Sequence, residues 1–343
     1  MWRHDVRLAR GVSAAHQRHD VRPRLFARAA QGDDVGYGEV DPQPVALNGD
    51  PGVDEVLEAL RDEVGPRLGE ITRREGRLPS WQRVAHLAAS RPASRFAWAL
   101  VEMALLDQDL RRTSRSTPLG WRDGGEVGVL ATVSLLDPPP EGIRRADRLR
   151  AKLRPGTWDD ATVSWLAAQA TPVLLDYNGS AGSPAQVLAD WDALAPRLAI
   201  VAIEQPFAPG DLASAAELAA RCPVPLSVDE GVRSWQDVRL VAAHGAARLV
   251  CVKPARVGGL AVARALCHRA GAAGLRPYVG GFFESPLGRS ALRLVARDAV
   301  DEPSDVGPVG VDEEAEVDED GAGLGFRLRA VVTEGAPGFV LAW

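Results

Sequence analysis

Of the 40 lysine and arginine residues in this 343-residue chain, only Lys152 and Lys253 are lysines. Arginine stands wherever a positive charge alone suffices, yet guanidinium cannot release a proton at physiological pH, whereas a desolvated ammonium can. Both lysines close short apolar runs that read as strand ends, and we read them as an acid/base pair. Between them, Asp176, Glu204 and Asp229 close three further apolar runs. Taken singly, each acid could pair with an arginine or cap the next helix. Three together, with no His or Cys among them, suit a hard divalent cation with oxygen ligands. A cation also explains how they coexist, because crowded carboxylates raise one another's pKa. A metal between two amines fits abstraction of a proton α to a substrate carboxylate. The cation stabilises the doubly charged enediolate, and an amine of depressed pKa takes the proton. The cation and the second ammonium supply that depression.

These five residues must be positioned by a repeating element. From Lys152 the successive spacings are 24, 28, 25 and 24 residues, roughly the length of one strand, one helix and two loops. Strands are expected at 127–135, 148–153, 173–176, 200–204, 225–229, 249–253 and 277–281. Helices are expected between them at 185–194, 212–221, 235–244 and 261–273. Such alternation implies parallel βα units. An open doubly wound sheet would spread five strand ends along one edge, whereas a closed barrel lets them converge on one mouth. No glycine-rich nucleotide loop competes for the interpretation. The expected fold is therefore α/β, a (β/α)7β TIM-like barrel with an α+β capping domain. Residues 1–95 form the N-terminal part of the cap, 96–312 the barrel, and 313–343 a segment returning to the cap. In the cap, strands are expected at 1–8, 24–30 and 36–40 and a helix at 53–68. Residues 96–110 read as an amphipathic helix, apolar at Phe96, Leu100, Met103 and Leu106. His16, Arg18, His19 and Arg22 read as a polar loop near the mouth, and the acidic tract 311–320 as a solvated one. Trp98 and Trp165, in helical contexts, read as packing residues.

A hydrophobic share of 46%, charged residues at 25% and a net charge of −6 describe a globular protein that does not take nucleic acid as its main partner. Cys222, Cys251 and Cys267 show neither disulfide nor zinc spacing. No apolar run is long enough to span a bilayer, and the start lacks a signal-peptide core. A cytoplasmic location is expected, and the oligomeric state stays open.

In combination, several motifs resemble the enolase superfamily, in its muconate-lactonizing-enzyme subgroup. They are Gly36-Tyr-Gly-Glu39, Arg150-Ala-Lys152, Asp176-Tyr-Asn178, Ile203-Glu204-Gln-Pro206, Val228-Asp229-Glu230, Val252-Lys253-Pro-Ala-Arg-Val-Gly258-Gly259 and Gly280-Gly281-Phe-Phe-Glu284-Ser285-Pro-Leu-Gly288. The resemblance implies Mg2+ (or Mn2+) on Asp176, Glu204 and Asp229, Lys152 as general base, Lys253 opposite it, and a small carboxylate substrate. Within the subgroup the last two motifs most resemble o-succinylbenzoate synthases and N-acylamino-acid racemases. The synthase reaction is a syn dehydration of 2-succinyl-6-hydroxy-2,4-cyclohexadiene-1-carboxylate in menaquinone biosynthesis. It would need one base, with Lys253 as a cation. An N-acylamino-acid racemase or dipeptide epimerase would need both lysines as bases, and a non-catalytic binding barrel would need neither. Arg150, Asn178, Glu230, Gly280, Gly281 and Ser285 are candidates for contacting substrate or supporting these groups. Three residues depart from the family pattern: Arg150 stands for a lysine, Gly231 for a serine, and Tyr177 for a small residue.

Overall fold

The computed structural model describes residues 1–142, 145–307, 316–329 and 332–333. Its first layer is an antiparallel sheet of β1 (Trp2–Ser13), β2 (Arg18–Gln31) and β3 (Asp34–Val40). The first hairpin is longer than its sequence suggested. Arg18, His19 and Arg22 are part of β2, and only residues 14–17 form the turn. The tip is held because Ser13 donates from N and Oγ to Asp137 (2.8 and 2.6 Å) and Arg18 reaches the same carboxylate at 2.9 Å. Helix α1 (Val53–Ala59) runs through a π-helical turn into α2 (Gly65–Glu75), past the expected end at 68, and stops where Gly76 turns left-handed. Helices α3 (Trp81–Ala89) and α4 (Arg95–Thr113) follow.

Helix α4 is buried on every side from Phe96 to Asp107, not amphipathic as its sequence suggested. Strand β3 lies against its backbone. A Cβ on Gly38 would stand 2.4 Å from the Leu100 carbonyl oxygen, and one on Gly36 would stand 2.2 Å from the Gln108 nitrogen. The two acids inside this helix serve other elements. Glu102 accepts from the Leu260 and Ala261 amides (2.6 and 2.8 Å), and Asp107 accepts from those of Tyr37 and Leu324 (2.8 and 2.7 Å). Burial raises Glu102 to about 7 despite both bonds.

The second layer alternates as its spacing requires: β4 (Leu130–Ser134), β5 (Arg148–Lys152), α5 (Asp160–Ala168), β6 (Val173–Asp176), α6 (Pro184–Leu194), β7 (Ile200–Glu204), α7 (Leu212–Ala219), β8 (Leu226–Val228) and α8 (Trp235–His244). Then come β9 (Leu249–Val252), α9 (Pro254–Val257), α10 (Leu260–Ala272), β10 (Arg276–Val279) and α11 (Pro286–Ala299). Strands β4 to β10 pair in parallel in chain order. The ring closes through residues 304–305. Ser304 bonds to Gly128 and Leu130 (both 2.8 Å), and the Asp305 amide donates to Val279 (2.8 Å). The fold is thus the expected α/β TIM-like barrel with a capping layer. Leu130, Leu174, Ala202, Leu249, Cys251 and Tyr278 make a small core inside the ring, separate from the large one between sheet and helices.

A final hairpin, β11 (Val317–Glu319) and β12 (Phe326–Leu328), returns to α4, where Arg111 pairs with Asp320 at 2.7 Å. The acidic tract is not simply solvated, since Glu316 is buried against Arg24. Residues 311–315 lie outside the described residues, as does most of 330–343. Among the described residues, no helix is long and apolar enough to cross a membrane, and the three cysteines are unpaired.

Gly38→Ala is expected to destabilise the protein by about 1–3 kcal/mol, because backbone lies where the methyl must go. Gly271→Ala, in open space near the end of α10, should instead stabilise it by about 0.5–1 kcal/mol. Denaturant midpoints of the two variants decide the matter. Because Glu102 binds its proton more tightly when folded, its stabilisation is present below the unfolded value of 4.5 and lost as pH rises to about 7. Glu102→Gln should therefore flatten the fall of unfolding free energy across that window by up to about 1.4 kcal/mol per pH unit. An unchanged slope would contradict the assignment.

Candidate functional site

Parallel pairing sets the strand ends level. Lys152 pairs with Asp176, and Asp176 with Glu204. Asp229 and Glu230 follow β8 directly, and Lys253 follows β9 as the N-cap of α9. The Lys152 ammonium donates to Asp176 Oδ2 at 2.6 Å and to Asn178 Oδ1 at 2.9 Å. Asn178 sits in the left-handed region (φ 45°), which its short amide side chain tolerates. Its backbone N–H donates to Asp176 Oδ1 at 2.9 Å, and its side chain donates to Glu230 Oε1 at 3.1 Å.

On the far side, Lys253 Nζ lies 3.0 Å from Asp229 and 4.5 Å from the centre of the Phe282 ring. Arg256 bonds to Asp229 at 2.6 Å and forks onto Asp50 of the cap with two 2.7 Å bonds. Against the cost of burial, Lys253 and Arg256 hold Asp229 well below the usual carboxylate range. Glu204 is placed differently. It accepts the Tyr278 hydroxyl proton at 2.6 Å and faces Arg150 at 3.3 Å, yet its buried Oε1 has no partner. Burial lifts Glu204 to about 8 against the pull of Arg150, and Asp176 and Asp229 add to the rise. Burial and the same two acids lift Glu230 to about 7.

Above these groups lies a cavity of about 620 Å³ between barrel and cap. Lys152, Lys253, Arg150, Asn178, Glu230 and Gly281 line it from the barrel, and His16, His19, Arg22 and Asp50 from the cap. His19 is held neutral: burial first, then Arg22, lower it to about 3. Its Nδ1 therefore accepts from Arg22 (3.3 Å), and the proton sits on Nε2.

Five candidates do not line the cavity: Asp176, Glu204 and Asp229 lie below it, and Gly280 and Ser285 serve other contacts. Gly280 lies behind Lys253, where a Cβ would come within 2.9 Å of the lysine Cγ, so its role is to leave room for that side chain. Ser285 is fully buried. It caps α11 and donates to Glu39 of the cap at 2.5 Å, so it joins the layers and contacts no substrate space. Of the departures, the Tyr177 hydroxyl donates to Asp190 of α6 at 3.0 Å, outside the ring. A Cβ on Gly231 would stand 2.8 Å from Val228 Cγ1, which explains the absence of a serine there.

Sequence reasoning missed Asp50, Gln205, Arg256, Tyr278 and Phe282. Arg256 was legible, because three residues after Lys253 on a helical turn is the same face. Gln205 was not: its side chain accepts from the Asp229 amide (2.9 Å) and donates to the Phe207 carbonyl (2.8 Å), which needs a left-handed φ of 37°.

Two of the three acids fit a hard cation: oxygens of Glu204 and Asp229 approach one another within 4.8 Å, and Glu204 Oε1 is an unpartnered acceptor among like charges. Asp176 stands outside that group among the described residues, with its oxygens engaged by Lys152 and Asn178. Without the Arg256 fork, Asp50 and Asp229 would lose their shared guanidinium inside the protein. Arg256→Met in metal-free protein is expected to cost about 3–5 kcal/mol of unfolding free energy. A cost below about 1 kcal/mol, read from urea midpoints, would show that the pair needs no such bridge.

A family model described as enolase C-terminal domain-like matches residues 144–328. An N-succinylamino acid racemase from Amycolatopsis sp is 32% identical over 290 residues, covering 79% of this chain and 74% of the relative. An o-succinylbenzoate synthase from Geobacillus kaustophilus is 31% identical over 147 residues, 42% of this chain and 38% of the relative. Among solved structures, N-succinyl Arg/Lys racemase from Bacillus cereus superposes with a TM-score of 0.79 over 98% of this chain and 96% of its own. At 18% identity, that likeness is one of fold.

Proposed function

Because the chain belongs to the enolase superfamily, we propose that it is an o-succinylbenzoate synthase, removing water from 2-succinyl-6-hydroxy-2,4-cyclohexadiene-1-carboxylate. The observation that carries this reading is the unequal setting of the two lysines. Lys253 is clamped between Asp229 and the face of Phe282, with Arg256 over the same ring. An aromatic face favours the cationic form of an amine, which suits a fixed positive charge beside a substrate carboxylate. Lys152 has no aromatic partner among the described residues and lines the cavity beside Asn178.

In this mechanism Lys152 Nζ takes the proton from the carbon α to the carboxylate. The same ammonium then returns a proton to the departing hydroxyl on the same face, so that water leaves and the ring becomes aromatic. Lys253 and Arg150 hold positive charge around the carboxylate while its second negative charge develops. Asp176, Glu204 and Asp229 would hold Mg2+, or Mn2+ in its place. Such an ion supplies Lewis-acid stabilisation of that charge. The cap hairpin covers one side of the cavity, with His16 bonded to the Asn178 carbonyl at 2.8 Å.

A second reading is N-succinylamino acid racemase, favoured by one observation: the match to that relative spans 79% of the chain, against 42% for the synthase. There Lys253 would act as a second base. Loss of cyclohexadiene absorbance separates the two. For the synthase it should be rapid, should require Mg2+, and should fall by about 10²–10⁴ in Lys152→Arg, which keeps charge but removes the base. Lys253→Arg should retain part of the rate, because a cation remains. If the diene persists while Mg2+ still raises the thermal midpoint, the synthase reading fails. Deuterium uptake at the α-carbon of both enantiomers of N-succinyl amino acids, abolished by Lys253→Arg for one of them, would then establish the racemase.

A further inference from the structure

Beneath the carboxylates the barrel holds a sulfur atom that the proposed proton chemistry leaves unused. Cys251 of β9 is fully buried. Its Sγ and one carboxylate oxygen each from Glu204 and Asp229 all lie within 4.8 Å of one another. A separate feature points to a ligand at this point: Glu204 is fully buried, and its Oε1 is unpartnered while Oε2 accepts from Tyr278.

We propose that Cys251 is a ligand to a divalent cation held with Glu204 and Asp229, giving the site a mixed sulfur and oxygen donor set that accepts a borderline or thiophilic ion such as Co2+, Zn2+ or Cd2+. This rests on the reading of Glu204 and Asp229 as cation ligands. Oxygen donors alone favour Mg2+, whereas a thiolate moves preference toward softer ions. On binding, one metal–sulfur bond forms and the thiol proton leaves to solvent, with no change of oxidation state. The same pocket would then hold Mg2+ through its carboxylates or a softer ion through carboxylates and sulfur, and the two would compete.

The test is titration of metal-free, full-length protein with Co2+, following near-ultraviolet absorbance while equilibrium dialysis counts the bound ion. A sulfur-to-cobalt charge-transfer band should grow to saturation at a single ion per chain, and excess Mg2+ should erase it. The band should vanish in Cys251→Ala, whose fold is checked by a retained Mg2+-dependent rise in thermal midpoint. It should persist in the double variant Cys222→Ser, Cys267→Ala, where Cys251 is the sole cysteine, so that this variant decides the matter even if Cys251→Ala does not fold. Co2+ bound without the band, or a band that survives Cys251→Ala, overturns sulfur ligation and leaves the carboxylate site standing. If neither Co2+ nor Mg2+ binds, the cation-site reading falls and this inference falls with it.

Discussion

Everything at the barrel mouth answers one constraint: three carboxylates of like charge are held together out of water. Asp176, Glu204 and Asp229 are each at most 1% exposed, and burying an unpaired carboxylate costs far more than one side-chain contact returns. The chain meets this by bringing its only two lysines and two of its arginines to the same place. Lys152 takes Asp176, Lys253 and Arg256 take Asp229, and Arg150 faces Glu204. Compensation is complete at the two outer acids and incomplete at the middle one. The acid pushed furthest up is therefore the one with a free oxygen. Charge is short at the centre of the row, where a bound cation would bring it.

The same constraint explains why the cap belongs to the site. A barrel mouth open to solvent would screen these charges and weaken every interaction among them. Three buried joints close it. Arg256 reaches up to Asp50. Glu39 reaches down to the Ser285 and Gly288 amides at the start of α11 (2.7 and 3.0 Å), using the free N–H groups of a helix N-terminus. Arg24 binds the Phe283 carbonyl together with Asp41 and Glu316. Two of these joints grip the 280–288 loop, which carries Phe282 under Lys253. Cap packing and the setting of that lysine are thus one mechanical unit.

How much of this could be read from the residues alone depended on the range of the interaction. The βα spacing, the strand ends and the five charged residues are local patterns, and strand pairing in chain order turns them directly into neighbours. Helix α4 was misread because periodicity reports one buried face, and nothing local says that glycines 36 and 38 will lay a strand along another. The β1–β2 hairpin tip was misread as a polar loop because its partner, Asp137, lies 124 residues from Ser13. Asp50 carries no signal, since its role exists only once Arg256 is opposite it. Gly280 and Ser285 were found as motif residues, but their work, clearing space and capping a helix, is defined by atoms far away in sequence.

Arg150 shows why an arginine suits a position where the family pattern has lysine. Its guanidinium faces Glu204 through Nε at 3.3 Å and donates through Nη1 to Asp305 at 3.1 Å. Asp305 sits in the segment that closes the ring between β10 and β4, and Arg289 of α11 binds it from the other side at 2.8 Å. A single ammonium on a flexible stem cannot present donors in two fixed directions, whereas the planar fork can. The substitution therefore links the most strained carboxylate of the site to the seam of the barrel. It also leaves Lys152 as the one amine on β5 able to exchange a proton.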